Sequence, residues 1–323
     1  LAILPECWPL CGVPYSDCSR YAEELTVSSS PTLAAAAAAA RKHGMHVLFG
    51  MIVKESRVCG GPEIEPVWRY RNAAVMVDDL GEVCGTYYKR YPVEAEIATG
   101  ITAGGCHGDP RSNVIECPRL GGLRVGVAIC FDLNWPGLFS EMKNEHADLI
   151  CWISAYPGGL PLQIRALESA LPVVTSVQGT QAAKYIDIAG RVVSTTSRWQ
   201  RLLLADINVG RRLFHTDGQM HSLLAIQEKY GARVHLETLD EEHLFTLEVK
   251  GPGGTLPAAA AAAAARPAGG AGEAGDRDGF DGLTVEDIIV EFGLVDYADY
   301  IQRCTAFRNA HVARCNSSSG ACR

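Results

Sequence analysis

Short apolar runs alternate with amphipathic stretches through the first two thirds of this chain. Val47–Val53, Ala73–Val77, Leu123–Ile129 and Leu149–Ile153 are rich in β-branched residues and bounded by Gly, Asp or charged positions. Such runs suit strands buried on both faces. Pro31–His43, with seven consecutive alanines, predicts a helix ahead of the first of these runs. Asp78-Asp79-Leu80-Gly81 predicts a hairpin turn between Ala73–Val77 and Val83–Tyr88. Further helices are expected through Leu138–Glu145, behind Pro136, and over Pro161–Ala170. The alternation predicts an α/β fold with helices packed on sheet faces across residues 1–210.

From Arg211 the pattern changes. Residues 211–250 read as an extension expected to pack on the domain or a dimer partner, with a helix at Ser222–Tyr230 and strands at Arg233–Leu236 and Leu244–Val249. Residues 251–282 are Gly/Ala/Pro-rich with an eight-alanine tract, a composition that offers few side chains to bury and predicts a linker. A short helical tail, 283–323, begins with Thr284–Phe292; Thr284 is its expected cap and Gly293 its stop.

Composition narrows the function. The 323 residues carry a net charge of −8, and their densest basic stretches are pairs such as Lys89-Arg90. This argues against nucleic acid as a partner. The apolar runs fall short of the ~20 residues a membrane-spanning helix needs. A cytoplasmic protein is expected, although the chain starts at Leu1 without a methionine. The twelve cysteines form no C-x-x-C pair, and several lie in strand-like runs. Reduced thiols are therefore expected. Two groups, Cys7/Cys11/Cys18 and Cys304/His311/Cys315/Cys322, lack zinc-type spacing, so no metal is expected. His43 and His46 flank a helix-to-strand turn, and no histidine makes a convincing Cys–His pair.

The chemistry concentrates at strand ends. Leu123–Ile129 delivers Cys130 at a turn that leads through Phe131-Asp132-Leu133-Asn134-Trp135 into Pro136. A thiol there can project into a cleft with backbone N–H groups beside it. A cysteine that merely closes a core strand is the competing reading. Glu6 follows the apolar Ala2-Ile3-Leu4 step, and Lys89 ends the Val83–Tyr88 strand. A carboxylate, an ammonium and a thiol, each at a strand end, form a more specific set than any of them alone.

With these residues the chain resembles the nitrilase, or carbon–nitrogen hydrolase, superfamily over about residues 1–210. The resemblance rests on Pro5-Glu6, Tyr87-Tyr88-Lys89, Gly126–Asp132 followed by Pro136, Asn72-Ala73-Ala74, Arg165–Glu168 and Ile186–Arg191. It implies a four-layer αββα sandwich, a homodimer or larger homo-oligomer, and no metal or organic cofactor. It further implies Glu6 as general base, Cys130 as nucleophile and Lys89 as oxyanion stabiliser. A second glutamate is expected after the lysine; Glu96 is preferred and Glu94 is the alternative. Phe131, through its backbone N–H, with Asn134, Trp135 and Tyr156 would line the oxyanion and substrate pocket. Packing of the turn is the equal alternative for Asn134 and Trp135.

Within this resemblance, the Cys130-Phe131-Asp132 step implies a small linear amide or N-carbamoyl substrate rather than a nitrile. The implied activity is an amidase- or carbamoylase-like hydrolase working through a cysteine thioester. Nitrile hydrolysis, acyl transfer with the same triad, and a silent assembly or binding member are its competitors. Relatives place a strand and helix before the Pro-Glu step, so the chain is expected to be truncated at its N-terminus, leaving an exposed sheet edge.

Overall fold

The computed structural model describes residues 1–57, 67–105, 109–110, 112–179, 181–250 and 282–318. All but the last residue of the expected linker, 251–282, lies outside them. The chain divides into two compact units, Leu1–Ile207 and Asn208–Arg323.

In the first unit, β1 (Ala2–Ile3) leads through a short helix, α1 (Tyr15–Cys18), to α2 (Pro31–His43). β2 (Val47–Arg57), β3 (Val67–Val77) and β4 (Val83–Tyr88) follow, then α3 (Glu94–Ala98), β5 (Val114–Cys117) and β6 (Leu123–Ile129). The unit continues with α4 (Pro136–Asn144), β7 (Leu149–Ser154), α5 (Leu160–Ser169), β8 (Val173–Val177), β9 (Lys184–Ile186) and β10 (Val192–Thr195). One sheet has the order β1-β2-β3-β4 and the other β10-β9-β8-β7-β6-β5. β1 is parallel to β2, and β6, β7 and β8 are mutually parallel.

Alternation along the strands sorts the layers. Phe49, Met51, Val53, Ala73, Val75 and Val77 pack with Leu33, Ala36 and Ala40 of α2. Side chains of strand residues point alternately to opposite faces, so Leu48, Asn72, Ala74 and Met76 face the second sheet. Met76 meets it directly, with Sδ 3.2 Å from Cys117 Sγ. On the far side, Ala128, Ile150, Trp152 and Val173 pack against Leu138, Phe139 and Met142 of α4 and Leu162 and Ala166 of α5. The layers run helix, sheet, sheet, helix: the expected αββα sandwich.

Local signals explain the sharp element ends. Ser30 Oγ accepts the Leu33 N–H at 3.0 Å and Pro31 opens α2, while Gly44 closes it at φ 60°. In the β3–β4 hairpin, Asp78 Oδ1 accepts the N–H groups of Leu80 and Glu82, each at 2.9 Å. The alanine run lets α2 lie close on its sheet, with Ala36, Ala37 and Ala40 buried.

Gly50 fixes where Glu6 sits. A Cβ at this position would stand 2.6 Å from Glu6 Cα and 2.7 Å from the Cys7 nitrogen, both backbone atoms. Gly50→Ala is therefore expected to cost about 1–3 kcal/mol, as overpacking does, when measured by urea unfolding. Unchanged stability would mean that the Pro5–Cys7 segment moves aside freely.

In the second unit β11 (Arg212–His215), α6 (Met220–Tyr230), β12 (Val234–Leu239), β13 (Leu244–Val249), α7 (Val285–Phe292) and α8 (Tyr297–Ser318) follow in order. The sheet order is β11-β13-β12. Val285, Ile288 and Leu294 share one core with Phe214, Ile226, Phe245 and Leu247. The segments read in sequence as extension and tail thus pack together. Thr284 caps α7, its Oγ1 accepting the Asp287 N–H at 3.1 Å, and Gly293 ends it at φ 62°. Among the described residues no helix is long and apolar enough to cross a membrane.

Candidate active site

Glu6, Lys89, Glu96 and Cys130 come together in the first unit. Parallel pairing of β1 with β2 carries the chain to Glu6, and β4 runs directly into Lys89. Lys89 Nζ lies 2.9 Å from Glu6 Oε1 and 2.7 Å from Glu96 Oε2. Both carboxylates are 1 % exposed and so is Lys89, which makes this a buried ion triad rather than a rim contact. Glu94, two residues before Glu96 on α3, is exposed.

Asn72 ties the triad together. Its Nδ2 donates to Glu6 Oε1 at 2.8 Å and to Glu96 Oε1 at 2.7 Å, while its carbonyl accepts the Lys89 N–H at 2.9 Å. The second Glu6 oxygen accepts the Ala155 N–H at 3.0 Å. Glu96 Oε2 also takes the Val93 N–H at 2.8 Å. Burial opposes charge on Lys89, but Glu6, Cys130 and Glu96 outweigh it and raise its pKa above the usual lysine range.

Cys130 occupies the left-handed region at φ 50°, uncommon for a residue with a Cβ. Such a conformation costs about 1–3 kcal/mol and persists only where its surroundings enforce it. Here Trp152 Nε1 donates to Cys130 O at 3.0 Å, and the buried Asp132 clamps the turn from below. Glu6 and Ser154 lie close enough to the thiol to act on its ionisation. Burial and the Glu6 charge push its pKa up to about 12, although Lys89 and Ser154 pull the other way.

Asp132 accepts three hydrogen bonds. Oδ2 takes the Tyr87 hydroxyl at 2.8 Å and the Ile129 N–H at 3.0 Å, and Oδ1 takes the Tyr91 N–H at 2.9 Å. Asp132→Asn leaves at least one of these buried donors facing an NH₂, an expected loss of about 1–3 kcal/mol. Burial pushes the Asp132 carboxyl up to about 6. A raised folded pKa gives stability that is complete below the unfolded carboxylate range and lost as pH rises through about 6. The gap between wild type and Asp132→Asn should therefore be wider at pH 4 than at pH 8 in urea titrations. A constant gap would separate Asp132 from that titration.

The expected pocket residues divide. Tyr156 lies near enough to Cys130 for their charges to interact, and its ring packs edge-on to Trp152 at 5.3 Å. Burial, with the Cys130 charge, raises its hydroxyl to about 12. Phe131 is 38 % exposed beside the thiol. Asn134 instead bonds its own turn, Nδ2 donating to Phe131 O at 3.0 Å, and Trp135 stacks on Tyr91 at 3.9 Å. Asn72 entered the sequence reading only as a motif match. Ser154 and Trp152 gave no signal beyond an apolar strand.

Residues 1–212 match the carbon–nitrogen hydrolase family model. A probable hydrolase, nit2, of Schizosaccharomyces pombe is 30 % identical over 117 residues, 33 % of this chain; the chain spans 42 % of that relative's length. An amidase of the nitrilase superfamily from Nesterenkonia superposes with a TM-score of 0.48 at 18 % identity, covering 60 % of this chain and 72 % of the other. A mutant of that amidase in complex with butyramide gives 0.47, also at 18 % identity, covering 60 % and 73 %. With the family model matching 212 of 323 residues, this chain belongs to the carbon–nitrogen hydrolase family.

Proposed function

We propose that the chain hydrolyses a non-peptide C–N bond in a small linear amide or N-carbamoyl compound through a thioester on Cys130. The observation that carries this is the convergence of Glu6, Lys89 and Cys130, distant in sequence, in one buried cluster. A thiol whose pKa lies near 12 holds almost no thiolate at neutral pH, so it needs a base beside it.

Glu6 takes the thiol proton as Sγ attacks the carbonyl carbon. The oxyanion forms beside the Lys89 ammonium, two of whose N–H groups serve Glu6 and Glu96, and the Phe131 backbone N–H is the second donor. One well-placed donor of this kind is worth roughly 3–4 kcal/mol in the transition state. As the tetrahedral species collapses, the C–N bond breaks and protonated Glu6 gives its proton to the departing nitrogen. Glu6 then draws a proton from water, which adds to the thioester. Collapse breaks the C–S bond, frees the acid and returns the proton to sulfur. Glu96 is a positioning residue that holds Lys89. Two copies would pair as a homodimer through α5, whose Leu160 and Ile164 are exposed.

Intact-protein mass spectrometry after brief exposure to short amides, N-carbamoyl amines and nitriles tests the proposal. The expected adduct is an acyl group that has lost ammonia or amine, mapped to Cys130. Transfer of that group to an added amine in preference to water would identify an acyltransferase. Turnover with an adduct on any other cysteine would overturn the assignment.

A further inference from the structure

A second cluster of reactive side chains lies at the other end of the sandwich. His46, Cys84 and Cys117 place their ligand atoms within 4.8 Å of one another. His46 immediately precedes β2, Cys84 is the second residue of β4, and Cys117 is the last of β5. Register sets their distance from the chemistry: Cys117 pairs with Leu123, the first residue of β6, while Cys130 follows the last. Seven strand residues at about 3.3 Å each put the cluster roughly 20 Å from the nucleophile.

The histidine points to a ligand. His46 is 2 % exposed, yet its Nε2 has no hydrogen-bond partner among the described residues. A buried polar atom left unpaired costs about 1–3 kcal/mol and calls for an explanation. Cys84 Sγ is hydrogen-bonded to Met76 O at 3.5 Å and also interacts with Cys117 Sγ, which in turn lies 3.2 Å from Met76 Sδ. Imidazole, two thiols and a thioether form a soft donor set, which selects thiophilic ions over Mg²⁺ or Ca²⁺.

We propose that His46, Cys84 and Cys117 form a structural binding site for a thiophilic d¹⁰ metal ion, Zn²⁺ or Cu⁺, that clips the two sheets together. Binding releases the two thiol protons to solvent and involves no redox step. At a Zn–S distance of about 2.3 Å, tetrahedral thiolates stand roughly 3.8 Å apart, so the ligands need to contract by at most about 1 Å. Side-chain rotation at the half-buried Cys84 can supply this. Water completes a Zn²⁺ site; the Met76 thioether suits Cu⁺. Arg119 is a nearby cation, but its guanidinium is paired with Asp79 at 2.6 Å.

The test uses the full chain, purified under reducing conditions, equilibrated with Zn²⁺ or glutathione-buffered Cu⁺ and desalted. Elemental analysis should find about one extra equivalent of one of these metals in wild type relative to His46→Gln, Cys84→Ser and Cys117→Ser. Co²⁺ should give thiolate charge-transfer absorption that the same three changes abolish and Cys11→Ser, at an exposed thiol, does not. The metal should also raise the thermal midpoint of wild type and not of Cys84→Ser, which removes little packing and keeps the test open if Cys117→Ser fails to fold. Equal metal retention in wild type and Cys84→Ser would overturn the proposal, as would a Cys84–Cys117 disulfide in freshly reduced and re-isolated protein that binds no metal.

Discussion

Cys130→Ala is expected to lower turnover of every accepted substrate by roughly 10⁴–10⁶-fold, the range seen when a covalent nucleophile is removed. The thermal midpoint should barely move, because the side chain is small. The partner experiment separates base from bystander. Glu6 is a main cause, after burial, of the raised Cys130 pKa. Glu6→Gln removes that charge, so the thiol should lose its proton more readily and react faster with iodoacetamide at pH 7. Turnover should nevertheless fall, because no group remains to shuttle the proton. In wild type, alkylation should climb about tenfold per pH unit past pH 9, as expected for a thiol titrating near 12. A plateau near pH 8 would show an ordinary thiol and remove the need for Glu6.

Much of the frame was legible because the periodic signals were strong. The Pro31–His43 helix, the Val83–Tyr88 strand and the Leu123–Ile129 strand have the bounds that capping, turn chemistry and apolar runs predict. Five strands were not singled out, Val114–Cys117, Val173–Val177, Lys184–Ile186, Val192–Thr195 and Arg212–His215, and two of them have weak signals. Lys184–Ile186 has only three residues, and Val192–Thr195 is mostly exposed, so neither shows a clean two-residue period. The site divides in the same way. Glu6, Lys89 and Cys130 stand at strand ends, where a linear reading can find them. Asn72 reads as one polar residue inside a strand, and its role as the shared donor to two carboxylates exists only once β3 lies between β2 and β4. His46, Cys84 and Cys117 come from three separate strand regions, and no metal-ligand spacing relates them. The cysteine groups around Cys7 and Cys315 lack zinc-type spacing as well. Cys7 is buried at 4.0 Å from Asn72 Oδ1, and Cys315 is exposed at 3.5 Å from His311 Nε2, while Cys322 lies outside the described residues.

Lys89→Met tests the ion triad itself and should disturb both stability and chemistry. The substitution keeps the aliphatic stem but leaves Glu6 and Glu96 sharing Asn72 with no cation between them. Removing one partner of a buried ion pair typically costs 3–5 kcal/mol, and about that loss is expected at pH 7.5. Two carboxylates in one site cannot both stay ionised cheaply, so one should take up a proton in the folded variant. A folded pKa raised in this way favours the fold at low pH, so the deficit against wild type should narrow as pH falls from 7.5 to 5. Turnover should drop at least 10²–10³-fold even where the protein is folded, because the oxyanion loses its charged donor. Adding Glu96→Gln removes the charge conflict without restoring the ammonium. The double variant should recover about 0.5–3 kcal/mol relative to additivity, within the range for directly coupled residues, and recover no activity. A Lys89→Met protein as stable as wild type at pH 7.5, with the same pH profile, would mean that the ammonium does not hold these two carboxylates in the fold.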